Sequence, residues 1–135
     1  METGLVVIAS GTIEDIVAHA RAEAPRECCG LLIGTRDRVE RAFRTRNALY
    51  SRTRYQVEAA DHFEALRTAR SAGFSVVGAY HSHPTSPPEP SPRDVDEAAY
   101  DDFIHVIVGL APPASPEVRA YRYVSGNFSR VTLVP

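Results

Sequence analysis

Every apolar run in this chain is short. Residues 5–9, 28–35, 39–45, 74–82, 103–110, 117–124 and 128–134 are rich in β-branched and aromatic side chains, and turn residues or prolines bound each run. Runs of that length and type predict strands, with 28–35 as the central one and 55–57 as a possible short addition. Between them, Ile13, Ile16, Val17 and Ala20 recur at helical spacing up to Ala24-Pro25, with Thr12 offering an N-cap. A second helix is predicted over 60–72, with Asp61 near its start and Gly73 at its stop. Ser91-Pro92-Arg93-Asp94 reads as a third helix start that continues to about Tyr100. The turn at Ser125-Gly126-Asn127 joins the last two strands, and 111–116 is a proline-rich connection too short to be a domain linker. The expected architecture is a single α/β domain over 1–135, a mixed and largely antiparallel sheet flanked by helices.

A chain of 135 residues can bury a real core. All 15 basic residues are Arg, against 17 acids, and the two signs are interleaved. No basic stripe therefore argues for nucleic acid. Residues 4–9 are apolar but far shorter than the roughly 18 residues of a membrane span, and they lack the charged flank of a secretion signal. A cytoplasmic protein is expected, and the adjacent pair Cys28-Cys29 fits a reducing compartment because neighbours cannot staple distant segments.

Strand side chains alternate with period two, so His81 and His83 project from one face and can grip one ion. Such a pair on its own has an ordinary structural reading. Pro84 ends the strand directly after it, which puts both imidazoles at a sheet end, where ligand sites occur. The next eight residues, 85–92, contain four prolines and form a stiff loop that delivers Asp94 in the first turn of the following helix. Two imidazoles and one carboxylate leave a fourth tetrahedral position open, as in catalytic zinc sites. Glu27, where the first helix gives way to the central strand, is an acid not needed as a ligand and is a candidate base.

Glu27, then His81-Ser82-His83-Pro84, then Ser91-Pro92-Arg93-Asp94, resembles the JAMM motif of the MPN-domain metalloproteases, and 25–34 is similar to the segment around the catalytic glutamate in the small bacterial members. The resemblance covers most of the chain. It implies an MPN/JAB, deaminase-like fold and one zinc ion per chain on His81, His83 and Asp94. Glu27 would be the general base that then protonates the leaving amine, and Ser91 would help stabilise the oxyanion. It also implies a zinc-dependent peptidase or isopeptidase. The substrate would be a ubiquitin-like or sulfur-carrier protein, cut after its C-terminal Gly-Gly.

Each residue also has a bland reading. Ser91 is sufficiently explained as a helix cap, a role that can coexist with catalysis. Cys28 and Cys29 read as small buried residues, and His19, His62 and His105 as surface or satisfied core histidines. Asp96, Glu97, Asp101 and Asp102 read as a solvated acidic face, although only the resemblance selects Asp94 among them. Glu89 is expected at the rim. Two other functions compete: a non-catalytic MPN-type interaction module, which predicts missing ligands where none is missing, and a zinc deaminase, whose Pro-Cys-x-x-Cys signature is absent.

Overall fold

The computed structural model describes residues 2–98, 100–112 and 115–135. Strands β1 (Glu2–Ile8), β2 (Cys29–Thr35), β3 (Arg38–Thr45), β4 (Ser75–His83), β5 (Ile104–Gly109), β6 (Glu117–Val124) and β7 (Asn127–Val134) alternate with helices α1 (Thr12–Glu23), α2 (Ala59–Ser71) and α3 (Pro92–Glu97). The strands close on themselves in the order β1-β3-β2-β4-β5-β6-β7. Neighbours pair in parallel at β1–β3, β1–β7 and β4–β5 and antiparallel at the other four contacts. The sheet is thus mixed and largely antiparallel as expected, but it is a closed barrel rather than an open sheet flanked by helices. Closure comes from β1, which pairs with β7 along its length and with β3 at Val7↔Arg38 and Ile8↔Val39.

Period-two alternation divides the strands between two clusters. Leu32, Tyr80, Ile104, Val106 and Val108 face a core that also takes Ile16 and Ala20 of α1. Their neighbours Leu31 and Ala79 face the other way and meet Ala65 of α2 in a smaller cluster. Burying an Ile or Leu side chain fully is worth roughly 1.5–3 kcal/mol, so the larger cluster carries most of the stability. Gly30 is required by the first cluster, since a Cβ there would lie 2.1 Å from the Tyr80 ring. The adjacent cysteines are both buried and free, and burial pushes their thiols up, Cys28 to about 12 and Cys29 to about 11.

Element ends depart from expectation in three places. Gly11, at φ 84°, starts α1 and no side chain caps it, so Thr12 is the first helical residue and is buried. That left-handed conformation suits glycine, and it turns the chain before Thr12 is reached. The third helix stops at Glu97, because Ala98 is extended, and Ala99 on the expected path to Tyr100 lies outside the described residues. Residues 55–57 form no strand; a single bridge joins Asn47 to Val57. Residues 113 and 114 of the proline-rich connection also lie outside the described residues. Among the described residues no helix is long and apolar enough to cross a membrane.

Candidate metal centre

Strand β4 is hydrogen-bonded to β2 on one side and β5 on the other, and both histidines lie in its last three residues. His81 and His83 project to the face opposite Tyr80 and Ser82, as the period of two requires. The Leu110 amide donates to the His83 carbonyl at 3.1 Å and holds the strand end. Beyond it the stiff loop turns back, and the Pro87 carbonyl accepts from His83 Nδ1 at 2.8 Å. A carbonyl can only accept, so His83 Nδ1 carries a proton, and the ring presents a bare Nε2 in its neutral form.

Helix α3 supplies the carboxylate. Ser91 caps it with a complete capping box: the Asp94 amide donates to Ser91 Oγ at 3.0 Å, and the Ser91 amide donates to Asp94 Oδ2 at 2.8 Å. The box fixes the Asp94 side chain toward β4. His81 Nε2 lies 3.2 Å from Asp94 Oδ1, His83 Nε2 lies 3.2 Å from Asp94 Oδ2, and the two Nε2 atoms are 3.2 Å apart. One ligand atom from each residue thus meets within a few ångströms.

Those separations fit a cation. Two ligands at the usual zinc–nitrogen distance, spread tetrahedrally, stand roughly 3.3 Å apart. His81 Nε2 and, when its ring is neutral, the bare His83 Nε2 face each other and the two Asp94 carboxylate oxygens. Lone pairs converging in this way are a donor set short of an acceptor, which a divalent ion with nitrogen and oxygen preferences supplies. Asp94 draws positive charge to the cluster. Burial holds His81 below the ordinary histidine value. Burial also presses His83 down, but hydrogen bonds to Asp94 and Pro87 outweigh it and the net direction is up. Burial opposes ionisation of Asp94, yet the two imidazoles hold its carboxyl well below the usual range.

Glu27 sits where α1 ends and β2 begins, 6% exposed. Burial raises its carboxyl to about 7, with His83 pulling the other way and Asp94 adding to the rise. A carboxyl poised there exchanges protons readily near neutral pH. Its main chain is held on both flanks. The Glu27 amide donates to the Ser51 carbonyl at 2.8 Å, and the next amide, Cys28, donates to Ser82 Oγ at 2.8 Å, between the two histidines.

Several residues around the site carry no sequence signal of their own. Ser82 is fully buried and ties the glutamate segment to β4. Tyr55 stacks on the His81 ring with centroids 4.5 Å apart and planes 21° apart. Of the histidines set aside as structural, His19 is a satisfied core residue, whereas buried His105 has an Nε2 with no hydrogen-bond partner among the described residues. His19 Nδ1 hydrogen-bonds Tyr80 OH at 2.7 Å, and His105 is buried among Phe103, Tyr123 and Phe128. Glu97 pairs with Arg54 and Asp102 with Arg36, so neither is drawn into the cluster, and Glu89 is an exposed partner of Arg119. Two clefts flank the site. One of about 640 Å³ has Glu27, Asn47 and Tyr50 in its wall, and one of about 430 Å³ has Asp94, Tyr55 and Arg93.

Known proteins share this arrangement of chain. A family model described as prokaryotic homologs of the JAB domain matches residues 9–124. The CysO-cysteine peptidase of Mycobacterium tuberculosis is 36% identical over 124 residues, covering 90% of this chain and 85% of that one. A desampylase of Haloferax volcanii is 33% identical over 142 residues, covering 98% of each chain. The solution structure of DSY2949 from Desulfitobacterium hafniense superposes with a TM-score of 0.87 at 28% identity, covering 96% of this chain and 91% of that one. The family match spans both β4 and α3, the two elements that meet at the histidine–aspartate cluster, and the chain belongs to the prokaryotic branch of the JAB/MPN family.

Proposed function

We propose that this chain is a zinc-dependent peptidase or isopeptidase that hydrolyses the amide bond after the C-terminal Gly-Gly of a ubiquitin-like or sulfur-carrier protein. The observation that carries the reading is the convergence of His81, His83 and Asp94 beside a buried glutamate whose carboxyl is raised to about 7. The substrate class rests on the relatives, which are named a CysO-cysteine peptidase and a desampylase.

In this reading His81, His83 and Asp94 hold one zinc ion. When bound, zinc polarises the scissile carbonyl and makes a water molecule more acidic. Glu27 takes the proton from the attacking water as its oxygen adds to the carbonyl carbon. The same carboxyl then gives that proton to the departing nitrogen as the C–N bond breaks. Ser91 Oγ accepts from the Asp94 amide, which leaves its own O–H free to donate to the developing oxyanion. The clefts on either side offer separate places for the carrier tail and the leaving group.

The test is to incubate zinc-loaded protein with carrier proteins extended beyond Gly-Gly. Wild type, Glu27→Ala and a chelated control are compared by mass spectrometry. Cleavage by the wild type alone is expected. Equal cleavage by all three, or none by the wild type across a broad panel of carriers, would overturn the reading and leave the non-catalytic module.

A further inference from the structure

Residues 46–58, between β3 and α2, form a strap over the site. The strap closes at its base, where the Glu58 amide donates to the Arg46 carbonyl at 3.0 Å and the Ala48 amide to the Gln56 carbonyl at 2.8 Å. It touches the candidate machinery at two points: Tyr55 lies on the His81 ring, and Ser51 accepts from the Glu27 amide.

One side chain organises the strap from within. Asn47 Nδ2 donates to the Glu27 carbonyl at 3.1 Å and to the Arg54 carbonyl at 3.0 Å. Asn47 Oδ1 accepts from the Leu49 amide at 3.0 Å and the Gln56 amide at 3.1 Å. Both donors and both acceptor sites of the carboxamide are therefore used. The two faces of the group also do different work. The oxygen shapes the strap, including an Asx turn to the residue two ahead. The nitrogen joins the strap to the glutamate.

We infer that Asn47 is a positioning residue for the reaction: its amide nitrogen, with the Ser51 carbonyl, clamps the Glu27 main chain so that the carboxylate is held against the histidine–aspartate cluster. The inference rests on reading Glu27 as the proton carrier. On the opposite flank, the Cys28 amide and carbonyl are bound to Ser82 Oγ and the Ser82 amide at 2.8 and 3.3 Å. Asn47 and Ser51 hold Glu27 from the strap side, and Ser82 fixes the following residue from β4. Releasing the strap side frees the glutamate to shift while the histidine pair stays paired in the sheet. A misplacement of about 1 Å at a reacting group costs on the order of 10²-fold in rate.

The test uses Asn47→Ser, whose hydroxyl keeps the turn to Leu49 but cannot reach the Glu27 carbonyl, and Asn47→Asp, which keeps both accepted bonds and loses both donated ones. Both are measured as full-length, zinc-loaded protein on a carrier extended beyond Gly-Gly. The expected result is kcat lowered at least about tenfold, KM within about threefold and zinc content unchanged. In metal-free Asn47→Ser, the Glu27 carboxyl, followed by carbon-detected NMR, is expected to titrate at lower pH than in wild type because water reaches it. Wild-type kcat in both variants, a loss confined to KM, or a reduced kcat with an unmoved Glu27 titration would overturn the inference. A wild type inactive on every carrier would sink the proposed function instead, and the metal-free titration would still decide whether Asn47 positions Glu27.

Discussion

His105 provides a pH switch on stability that can be worked out from its surroundings. The residue is 6% exposed, its Nε2 has no hydrogen-bond partner among the described residues, and three aromatic rings surround it. Burial lowers its pKa from 6.5 to about 4, with His81 lowering it further and Asp94 opposing. Above pH 6.5 the imidazole is neutral in both folded and unfolded chains and contributes no slope. Between pH 6.5 and 4 the unfolded chain binds a proton that the folded chain refuses, so stability falls as the pH falls. Each pH unit between the two values is worth ~1.36 kcal/mol, which sets a ceiling of about 3 kcal/mol. At pH 5 the expected loss relative to pH 7.5 is about 2 kcal/mol. His105→Leu removes the titrating group. Urea unfolding of chelated wild type and variant at pH 7.5, 6, 5 and 4 isolates the effect, because the other buried histidines cancel in the difference. Parallel curves of stability against pH for the two proteins would refute the argument.

Three other expectations follow from the same geometry. Because Glu27 must be ionised to accept a proton and burial raises it to about 7, metal-free titration should find its midpoint well above an ordinary glutamate, and Glu27→Gln should lower kcat on the order of 10²–10⁴-fold without loss of bound zinc. A midpoint near 4, or unchanged turnover, would count against the assignment. Ser91→Ala loses both the cap and the free hydroxyl; unfolding should register about 1 kcal/mol, and kcat should drop further than that change in stability explains. If turnover survives and only the melting temperature moves, Ser91 is a cap and nothing more. Gly30→Ala forces a methyl to within 2.1 Å of the Tyr80 ring and should destabilise the barrel by about 1–3 kcal/mol in chemical denaturation. An unchanged midpoint would show that Tyr80 moves aside freely.

Much of the fold is legible in the residues because strand burial leaves a local mark. Residues 29–34, and 104–109 apart from His105, are apolar or small and are buried throughout. Barrel closure leaves no such mark. It depends on β1 lying beside β7, a contact between segments more than a hundred residues apart, and nothing in Leu5 or Val6 announces which strands will flank them. The start of α1 misled for a related reason: Thr12 is a good cap by type, but the backbone had already turned at Gly11. In the site, strand alternation makes the histidine pair plausible, whereas only the family resemblance picks Asp94 over its acidic neighbours and ties Glu27 to the histidines. Asn47, Ser51, Ser82 and Pro87 are silent in sequence because they act on, or through, main-chain atoms. Such roles depend on where the chain runs rather than on what residue type stands there.

The candidate ligands His81 and His83 are set in a strand hydrogen-bonded to β2 on one side and β5 on the other. The strand pairing that places them does not depend on a metal. In a zinc finger the ion supplies the folding free energy, and chelation unravels the domain. In the proposed reading the ion would sit at the end of a strand that is hydrogen-bonded on both sides without it, so chelated protein is expected to keep the far-UV circular dichroism of the loaded form.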